Sequence, residues 1–319
     1  MTTVASTSLG VAVDSLAVSA YTIPTDAPES DGTLEWDSTT IVVVEAHAGD
    51  EVGLGYTYGP RAVGTLVEEL LADVVEGADA GAPGVVWPQL GARLRNAGRP
   101  GIGFMALAAV DTALWDLKAR LLGVSFVDVL PRAHDSVPVY GSGGFCSYSL
   151  TRLAEQLGEW VAEGIPRVKM KVGRDPEDDP ARLDAARKAI GEAAELYVDS
   201  NGALSRKQAL LWAERFGREW GVSWYEEPVS SADFEGLRLL RDRAPLEIAA
   251  GEYAYVPADF RNLLGCVDCL QADVTRCGGI TGFLRAGALA AAHDLDLSAH
   301  CAPAASVAVC CAVPRFRHL

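Results

Sequence analysis

The chain has 319 residues, 49% of them hydrophobic, which is enough for one large barrel-type domain and a smaller one. A formal net charge of −16 argues against nucleic acid and anionic membranes as partners. No apolar run approaches the roughly 18 residues of a membrane-spanning helix. Residues 1–5 lack the basic start of a secretory signal, so the seven cysteines are expected to be reduced thiols in the cytoplasm.

The first 130 residues predict strands followed by helices. Residues 8–20 and 40–48 are rich in apolar and β-branched side chains and predict two strands. The polar stretch 21–38 between them contains prolines and, near its end, Trp36, and it predicts a loop. Leucines recur at helical spacing in the stretch 62–123, so residues 1–130 are predicted to form an α+β domain.

After residue 136, short apolar strands alternate with amphipathic helices. This alternation predicts an α/β fold with a (β/α) TIM-type barrel over residues 131–319, and an open doubly wound sheet is the alternative. No eighth strand is recognisable before Leu319, so the last barrel strand is expected to be missing and the barrel to be C-terminally incomplete. The predicted strands lie near residues 137–140, 166–170, 196–198, 222–225, 246–249, 268–271 and 296–299, and a last helix is predicted over 303–312.

Three successive predicted strands end in a carboxylate: Asp199, Glu226 and Glu252. Functional residues of a (β/α) barrel lie at the C-terminal strand ends, and neighbouring strands are about 4.8 Å apart, so these acids are expected to converge. Oxygen ligands favour Mg²⁺, or Mn²⁺, over zinc. The alternative is that each acid caps the following helix, which explains one such acid better than three in succession. Glu227 should face a different direction and support the metal ligands.

Two lysines, Lys169 and Lys171, lie in the second predicted barrel strand. Side chains two positions apart share one face of a strand, so both point the same way. The chain uses lysine five times and arginine 22 times, and of the two only lysine can act as a base. A solvated edge face is the alternative interpretation of this pair.

The sixth and seventh predicted strands end in Asp273 and His300. A carboxylate partner fixes the imidazole tautomer and raises its basicity, so this pair favours a functional over a structural histidine. Lys171 and His300 would then face a metal-held substrate from opposite sides. The metal and Lys169 would stabilise the negative charge that forms when an α-proton leaves.

These motifs resemble those of the enolase superfamily, in particular the mandelate racemase-type subgroup of the mandelate racemase/muconate lactonizing enzyme family. The resemblance implies a modified (β/α) barrel with an N-terminal capping domain, whose 21–38 segment closes over the substrate. It also implies Mg²⁺ on the three acids, acid/base roles for Lys171 and the His300–Asp273 pair, and Lys169 on the substrate carboxylate. Such proteins are commonly homo-oligomers. The motifs are Lys169-x-Lys171, Asp199-x-Asn201, Glu226-Glu227-Pro228, Gly251-Glu252, Asp273 and His300. Asn201, Glu227 and Trp36 are expected to contact the substrate or to support the site.

Two departures from related proteins matter. Sister subgroups, such as muconate cycloisomerases, use a second catalytic lysine on the sixth strand, whereas this chain has no lysine after Lys207 and has arginine at position 276. Family members also continue past the seventh βα unit with a last strand. A barrel without that strand exposes two edges, so we expect this chain to fold but to be weakly active or inactive.

The predicted function is Mg²⁺-dependent abstraction of the α-proton of a hydroxy-carboxylate to give a metal-stabilised enediolate. Dehydration of a sugar acid to a 2-keto-3-deoxy acid is the preferred outcome, and racemisation or epimerisation of a 2-hydroxy acid is the alternative. A barrel glycosidase with two carboxylates would leave both lysines and His300 without a role. A non-catalytic scaffold would leave the whole set of polar residues unexplained.

Overall fold

A computed structural model describes residues 9–319, which fold into an N-terminal unit and a parallel barrel. Residues 1–5, which carry the signal-peptide prediction, and residue 8 of the first predicted strand lie outside the described residues. The N-terminal unit contains an antiparallel sheet in the order β1-β2-β3. Its elements are β1 (Ser15–Ser30), β2 (Glu35–Ala48), β3 (Glu51–Tyr58), α1 (Ala62–Leu66), a π-helical turn (Val67–Leu71), α2 (Ala72–Val75), α3 (Pro83–Arg93), α4 (Ile102–Leu122) and a 3₁₀ turn (Phe126–Val129).

The second unit is a curled sheet of parallel strands with helices between them. It confirms the predicted α/β fold with a modified (β/α) barrel. Its seven named strands follow chain order from β4 to β10. The elements are β4 (Gly141–Gly143), α5 (Leu150–Ala162), β5 (Arg167–Lys171), α6 (Asp179–Ile190), β6 (Glu195–Asp199), α7 (Arg206–Trp220), β7 (Val222–Glu226), α8 (Phe234–Arg243), β8 (Glu247–Ala250), α9 (Pro257–Leu263), β9 (Cys269–Ala272), α10 (Gly279–Ala292), β10 (Asp296–Ala299) and α11 (Pro303–Cys310).

The predicted loop over 21–38 is wrong, because most of this stretch belongs to a long β1–β2 hairpin. Thr22 and Thr40 are paired across the hairpin, and their hydroxyl oxygens lie 2.9 Å apart. A register shift between Pro24 and Glu29 absorbs the proline-containing segment as an irregularity. An edge strand tolerates proline because one of its sides has no ladder to complete. Composition alone therefore misidentified a polar edge strand as a loop.

The tip of the hairpin rests on the C-terminal end of the barrel. The Cys146 amide donates to the Ser30 carbonyl at 2.7 Å, and the Ser147 hydroxyl donates to the Pro28 carbonyl at 2.9 Å. Gly32 packs so closely that a Cβ there would lie 2.3 Å from the Ser200 carbonyl oxygen. Only glycine fits at that distance, so the tip is in close contact with the loop that follows β6.

The first barrel strand is β4, Gly141–Gly143, rather than the predicted stretch near 137–140. Its glycines carry no apolar pattern, so the sequence placed the strand on the apolar residues before it. The gap between β10 and the start of β4 is filled by residues 315–319. The Arg317 amide donates to Leu297 at 2.8 Å, and the Tyr140 amide donates to Leu319 at 3.0 Å. This segment takes the eighth position without forming a named strand, which explains why no eighth strand was recognisable.

Buried hydrogen bonds join the N-terminal unit to the loop after β9. The indole N–H of Trp87 donates to the Gly278 carbonyl at 2.8 Å, and the Thr57 hydroxyl donates to the Thr275 carbonyl at 2.7 Å. Asp111 of α4 accepts from the amide of Thr281 at 2.8 Å and from its hydroxyl at 2.7 Å. The N-terminal unit therefore holds the loop between Asp273 and α10.

Within residues 9–319, no helix combines the length and the apolar character that crossing a membrane requires.

The stability of this junction should depend on pH through Asp111. Burial raises the pKa of Asp111 from 3.8 to about 7 in the folded protein, so between these values the folded state binds more protons than the unfolded state. The free energy of unfolding, relative to Asp111→Asn, should therefore fall as the pH rises from about 4 to about 7, by on the order of 1–4 kcal/mol.

Urea unfolding of both proteins at several pH values measures this difference. Asp242→Asn is the matched control, because it removes a carboxylate that is 59% exposed. A difference between wild type and Asp111→Asn that stays constant or grows with pH would contradict the prediction.

Candidate active site

Three buried carboxylates meet at the C-terminal end of the barrel. Asp199 and Glu226 end neighbouring strands and are register partners, and Glu252 lies two residues after β8. Each side chain is at most 2% exposed. One ligand oxygen from each residue lies within 4.8 Å of the others. The structure thus brings together the three predicted metal ligands.

Two lysines compensate these charges from β5. The Lys171 Nζ atom lies 2.5 Å from Asp199 Oδ2, and the Lys169 Nζ atom lies 3.4 Å from the same oxygen. Lys169 also forms a close ion pair with Glu226. Burial by itself lowers the pKa of Lys169, but the nearby negative charges of Glu226 and Asp199 outweigh this effect, so the pKa lies well above its usual value. Both lysines are buried, which rules out the solvated edge face considered for them.

His300 faces the carboxylates from the other side. Its Nδ1 atom lies 2.8 Å from Asp273 Oδ2, and its Nε2 atom lies 2.7 Å from Glu252 Oε2. The Thr275 amide and hydroxyl each donate to Asp273 Oδ1 at 2.7 Å. Asp273 is thereby held as an acceptor, so the imidazole donates from Nδ1 and its Nε2 atom faces the carboxylates.

Of the three other predicted site residues, Asn201 and Glu227 lie beside Gly251 and Glu252, and Trp36 packs against Phe145. The Asn201 side-chain amide lies 3.5 Å from Glu252 Oε1, and its own carbonyl oxygen has no hydrogen-bond partner. Glu227 accepts from the Gly251 amide at 3.3 Å, and burial raises its pKa well above the usual value. Trp36 lies on β2, where its ring meets Phe145 edge-on at 5.5 Å.

Sequence reasoning gave no role to three further residues around the centre. The indole N–H of Trp224 donates to Glu226 Oε2 at 3.2 Å. The Arg276 Nε atom lies 3.5 Å from Asp273 Oδ2, and the Cys301 sulfur lies 3.3 Å from His300 Nε2. Trp224 was detectable, because it lies two positions before Glu226 in one strand and so shares its face. The position of Arg276 depends on the turn after β9, in which its amide donates to the Asp273 carbonyl. The alternation of apolar and polar residues does not predict that turn.

The donor set fits a hard divalent cation. The three acids offer only oxygen ligands, and such sets suit Mg²⁺. Asp199 Oδ2 and Glu226 Oε1 already accept from lysines, so these oxygens face positive charge. Asn201, whose Nδ2 atom lies 3.5 Å from Glu252 Oε1, also has a buried Oδ1 atom without a hydrogen-bond partner. Asp199, Glu226 and Glu252 are therefore the residues that would hold the ion.

A (β/α) barrel with three acids, two lysines and a His–Asp pair at its C-terminal end defines an enzyme of the enolase superfamily. Residues 20–130 match the family model "Mandelate racemase / muconate lactonizing enzyme, N-terminal domain", and residues 152–319 match "Enolase C-terminal domain-like". The chain belongs to the mandelate racemase/muconate lactonizing enzyme family.

Several solved structures resemble the chain over nearly its whole length, among them the following two. A mandelate racemase/muconate lactonizing enzyme-like protein from Rubrobacter xylanophilus is 64% identical, with a TM-score of 0.95 over 97% of this chain and 86% of that one. A racemase from Streptomyces coelicolor A3(2) with bound magnesium is 30% identical, with a TM-score of 0.91 over 96% of this chain and 89% of that one.

Two relatives carry names that specify a reaction. The 3,6-anhydro-α-L-galactonate cycloisomerase of Streptomyces coelicolor is 33% identical over 292 residues, which are 87% of this chain and 79% of the relative. The L-talarate/galactarate dehydratase of Salmonella typhimurium is 31% identical over 268 residues, which are 82% of this chain and 67% of the relative.

Glu226→Gln should weaken Mg²⁺ binding by more than about tenfold, because loss of even an outer partner of a metal ligand typically costs about 10- to 100-fold. The variant keeps the shape of the side chain and removes its negative charge. Isothermal titration calorimetry with MgCl₂ measures the affinity, and circular dichroism checks that the variant is folded. Glu235→Gln, on a side chain that is 81% exposed, is the control. Unchanged affinity in a folded Glu226→Gln variant would exclude Glu226 as a ligand.

Proposed function

We propose that the protein removes the α-proton of a hydroxy-carboxylate in a Mg²⁺-dependent reaction and, most specifically, that it dehydrates a sugar acid to a 2-keto-3-deoxy acid. The observation that carries this proposal is the placement of the acid trio between Lys171 on one side and His300 on the other. The dehydratase among the relatives supports the same reaction class.

The substrate carboxylate would bind where positive charge is concentrated. Bound Mg²⁺ would supply positive charge that stabilises the carboxylate as its α-carbon loses a proton. Lys169 supports the same role from the chain itself. It is 1% exposed, and the charges of Glu226 and Asp199 hold it protonated, so it contributes a fixed positive charge in a region that excludes water.

Two groups can move protons at the reacting carbon. Lys171 lies on the β5 side of the trio and contacts Asp199, and His300 lies on the β10 side and contacts Glu252. Because Asp273 accepts from His300 Nδ1, the Nε2 atom is the one that exchanges a proton with the substrate. Thr275 and Arg276 keep Asp273 in place for that purpose.

Dehydration needs one base and one acid. One carrier takes the α-proton, and the electrons of the broken C–H bond form a carbon–carbon double bond as the β-hydroxyl leaves. The other carrier, which we assign to His300, gives the proton that turns this hydroxyl into water. The resulting enol then tautomerises: its hydroxyl loses a proton as the β-carbon takes one up, which gives the 2-keto-3-deoxy acid.

A racemase or epimerase of a 2-hydroxy acid is the second candidate. It is favoured by the same two-sided geometry, because a proton removed on one side by Lys171 can be replaced on the other side by His300. The magnesium-containing racemase from Streptomyces coelicolor A3(2) supports this candidate. The mandelate racemase-type subgroup accommodates both reactions through the same first step.

Three finer expectations belong to the proposal. Mn²⁺ should replace Mg²⁺, because both prefer oxygen ligands. The protein should act as a homo-oligomer in the cytoplasm, where the seven cysteines would stay unpaired thiols as they are in the structure. Light scattering coupled to size exclusion measures the oligomeric state.

Proton NMR in D₂O with Mg²⁺ tests the reaction directly on a panel of sugar acids and 2-hydroxy acids. Loss of an α-proton signal together with new 2-keto-3-deoxy resonances would establish dehydration. Loss of the α-proton signal without those resonances, together with loss of optical rotation or new resonances of a second diastereomer, would establish racemisation or epimerisation. Absence of exchange with every acid, while Mg²⁺ is bound, would count against α-proton abstraction from this class of substrate.

Single-base variants should separate the roles of the two proton carriers. Lys171→Met should lower the rate of α-proton exchange for substrate of one configuration at the α-carbon, and His300→Asn should lower it for the other configuration. Each rate should fall by more than about 100-fold. Lys188→Met, on α6, is the matched lysine control. If one of these variants lost exchange of both configurations while the other lost none, a two-base site would be excluded.

A further inference from the structure

His318 lies inside the barrel although it belongs to the segment in the eighth position. The residue is 1% exposed. Its ring centroid lies 4.8 Å from that of Tyr140, 4.9 Å from that of Trp224 and 5.5 Å from that of Tyr197. Of these neighbours, Trp224 and Tyr140 each contact a residue of the candidate site.

The hydrogen bonds of Ser298 fix the orientation of this imidazole. The Ser298 hydroxyl donates to the His318 carbonyl at 2.9 Å, and its oxygen lies 2.8 Å from His318 Nδ1. A hydroxyl has one proton to donate, so here it must accept from Nδ1–H. Burial lowers the pKa of His318 from 6.5 to about 3, so the ring is neutral, and Ser298 on β10 holds it through Nδ1.

Trp224 links this ring to a predicted metal ligand. Its indole is stacked on Tyr197 at 5.5 Å with an interplanar angle of 25°, and it meets His318 at 61°. In that orientation the indole N–H donates to Glu226 Oε2 at 3.2 Å. Glu226 Oε1 is taken by Lys169, so both oxygens of this carboxylate have a fixed partner.

Tyr140 forms a second link. Its ring contacts His318 edge-on, and the Lys169 ammonium lies 5.2 Å from the Tyr140 ring centroid. His318 thus touches both aromatic residues that contact the Lys169–Glu226 ion pair. Removing its ring would leave space into which Trp224 and Tyr140 can turn.

We infer that His318 is a positioning residue for Glu226, acting through the Trp224 indole, and that it thereby sets the affinity of the acid trio for Mg²⁺. The inference rests on the proposed function, because it takes Glu226 to be a metal ligand. Partners that orient a metal ligand typically contribute about 10- to 100-fold to metal affinity.

Calorimetric titration of the purified protein with MgCl₂ tests this. His318→Asn keeps a donor for Ser298 but removes the ring, and it should weaken Mg²⁺ binding by about tenfold. His318→Phe keeps a ring but loses the hydrogen bond between Nδ1 and Ser298, and it should retain affinity within about threefold of wild type. Leu157→Ala, a buried cavity mutation on α5, is the control for general destabilisation and should leave Mg²⁺ affinity unchanged.

A double-mutant cycle shows whether the effect passes through Trp224. Trp224→Phe removes the indole N–H and should itself weaken Mg²⁺ binding about tenfold. Adding His318→Asn should weaken binding little further, because the effects of two substitutions that act through one contact do not add. If His318→Asn does not fold, His318→Gln takes its place in the titration and in the cycle.

Three outcomes would overturn the inference and leave the proposed function intact. They are normal Mg²⁺ binding by folded His318→Asn, equal weakening of binding by His318→Phe, and full additivity of the two substitutions in the cycle. Absence of Mg²⁺ binding by the unmodified protein would overturn the metal centre of the proposed function, and the inference with it.

Discussion

The structure depends on placing three carboxylates together in a region that water hardly reaches. A buried charge costs several kcal/mol unless it is paired, so Asp199, Glu226 and Glu252 require nearby cations. Two lysines and one histidine supply positive or hydrogen-bonding partners, and each contacts an oxygen of the trio. The same oxygens suit a divalent cation. The chemistry proposed for the site follows from this compensation, because the groups that neutralise the acids are also those that can hold or move a proton.

The barrel makes this arrangement possible because its parallel strands end at one rim. Register places Lys171, Asp199 and Glu226 side by side on three neighbouring strands. Beneath them lies a layer of large side chains that includes Tyr197 and Trp224, and residues 315–319 close the layer between β10 and the start of β4. The rim residues therefore stand on a packed floor, and their orientations follow from the shape of that floor.

The described part of the N-terminal unit contributes to the site, although none of the three predicted metal ligands lies in it. Its hairpin tip rests on the loop after β6, and its α4 helix holds the start of α10 through Asp111. The Thr57 hydroxyl bonds the carbonyl of Thr275, whose own amide and hydroxyl hold Asp273. The position of the proposed acid/base pair, Asp273 and His300, is thus tied to packing between the two units. Trp36 lies at the same junction, against Phe145.

The fold class, six of the barrel strands to within one or two residues, and the polar residues at the strand ends were all predictable from the amino-acid sequence. Strand periodicity and the rule that barrel sites lie at C-terminal ends are local or general facts, so they can be recognised without coordinates. The hairpin that contains most of residues 21–38 was not predictable in this way, because an edge strand is stabilised by pairing with its neighbour rather than by its composition. The contact between His318 and Trp224 was not predictable either, because the two residues are far apart in the chain. They meet because residues 315–319 form backbone hydrogen bonds with β10 on one side and with residues 138–140 on the other.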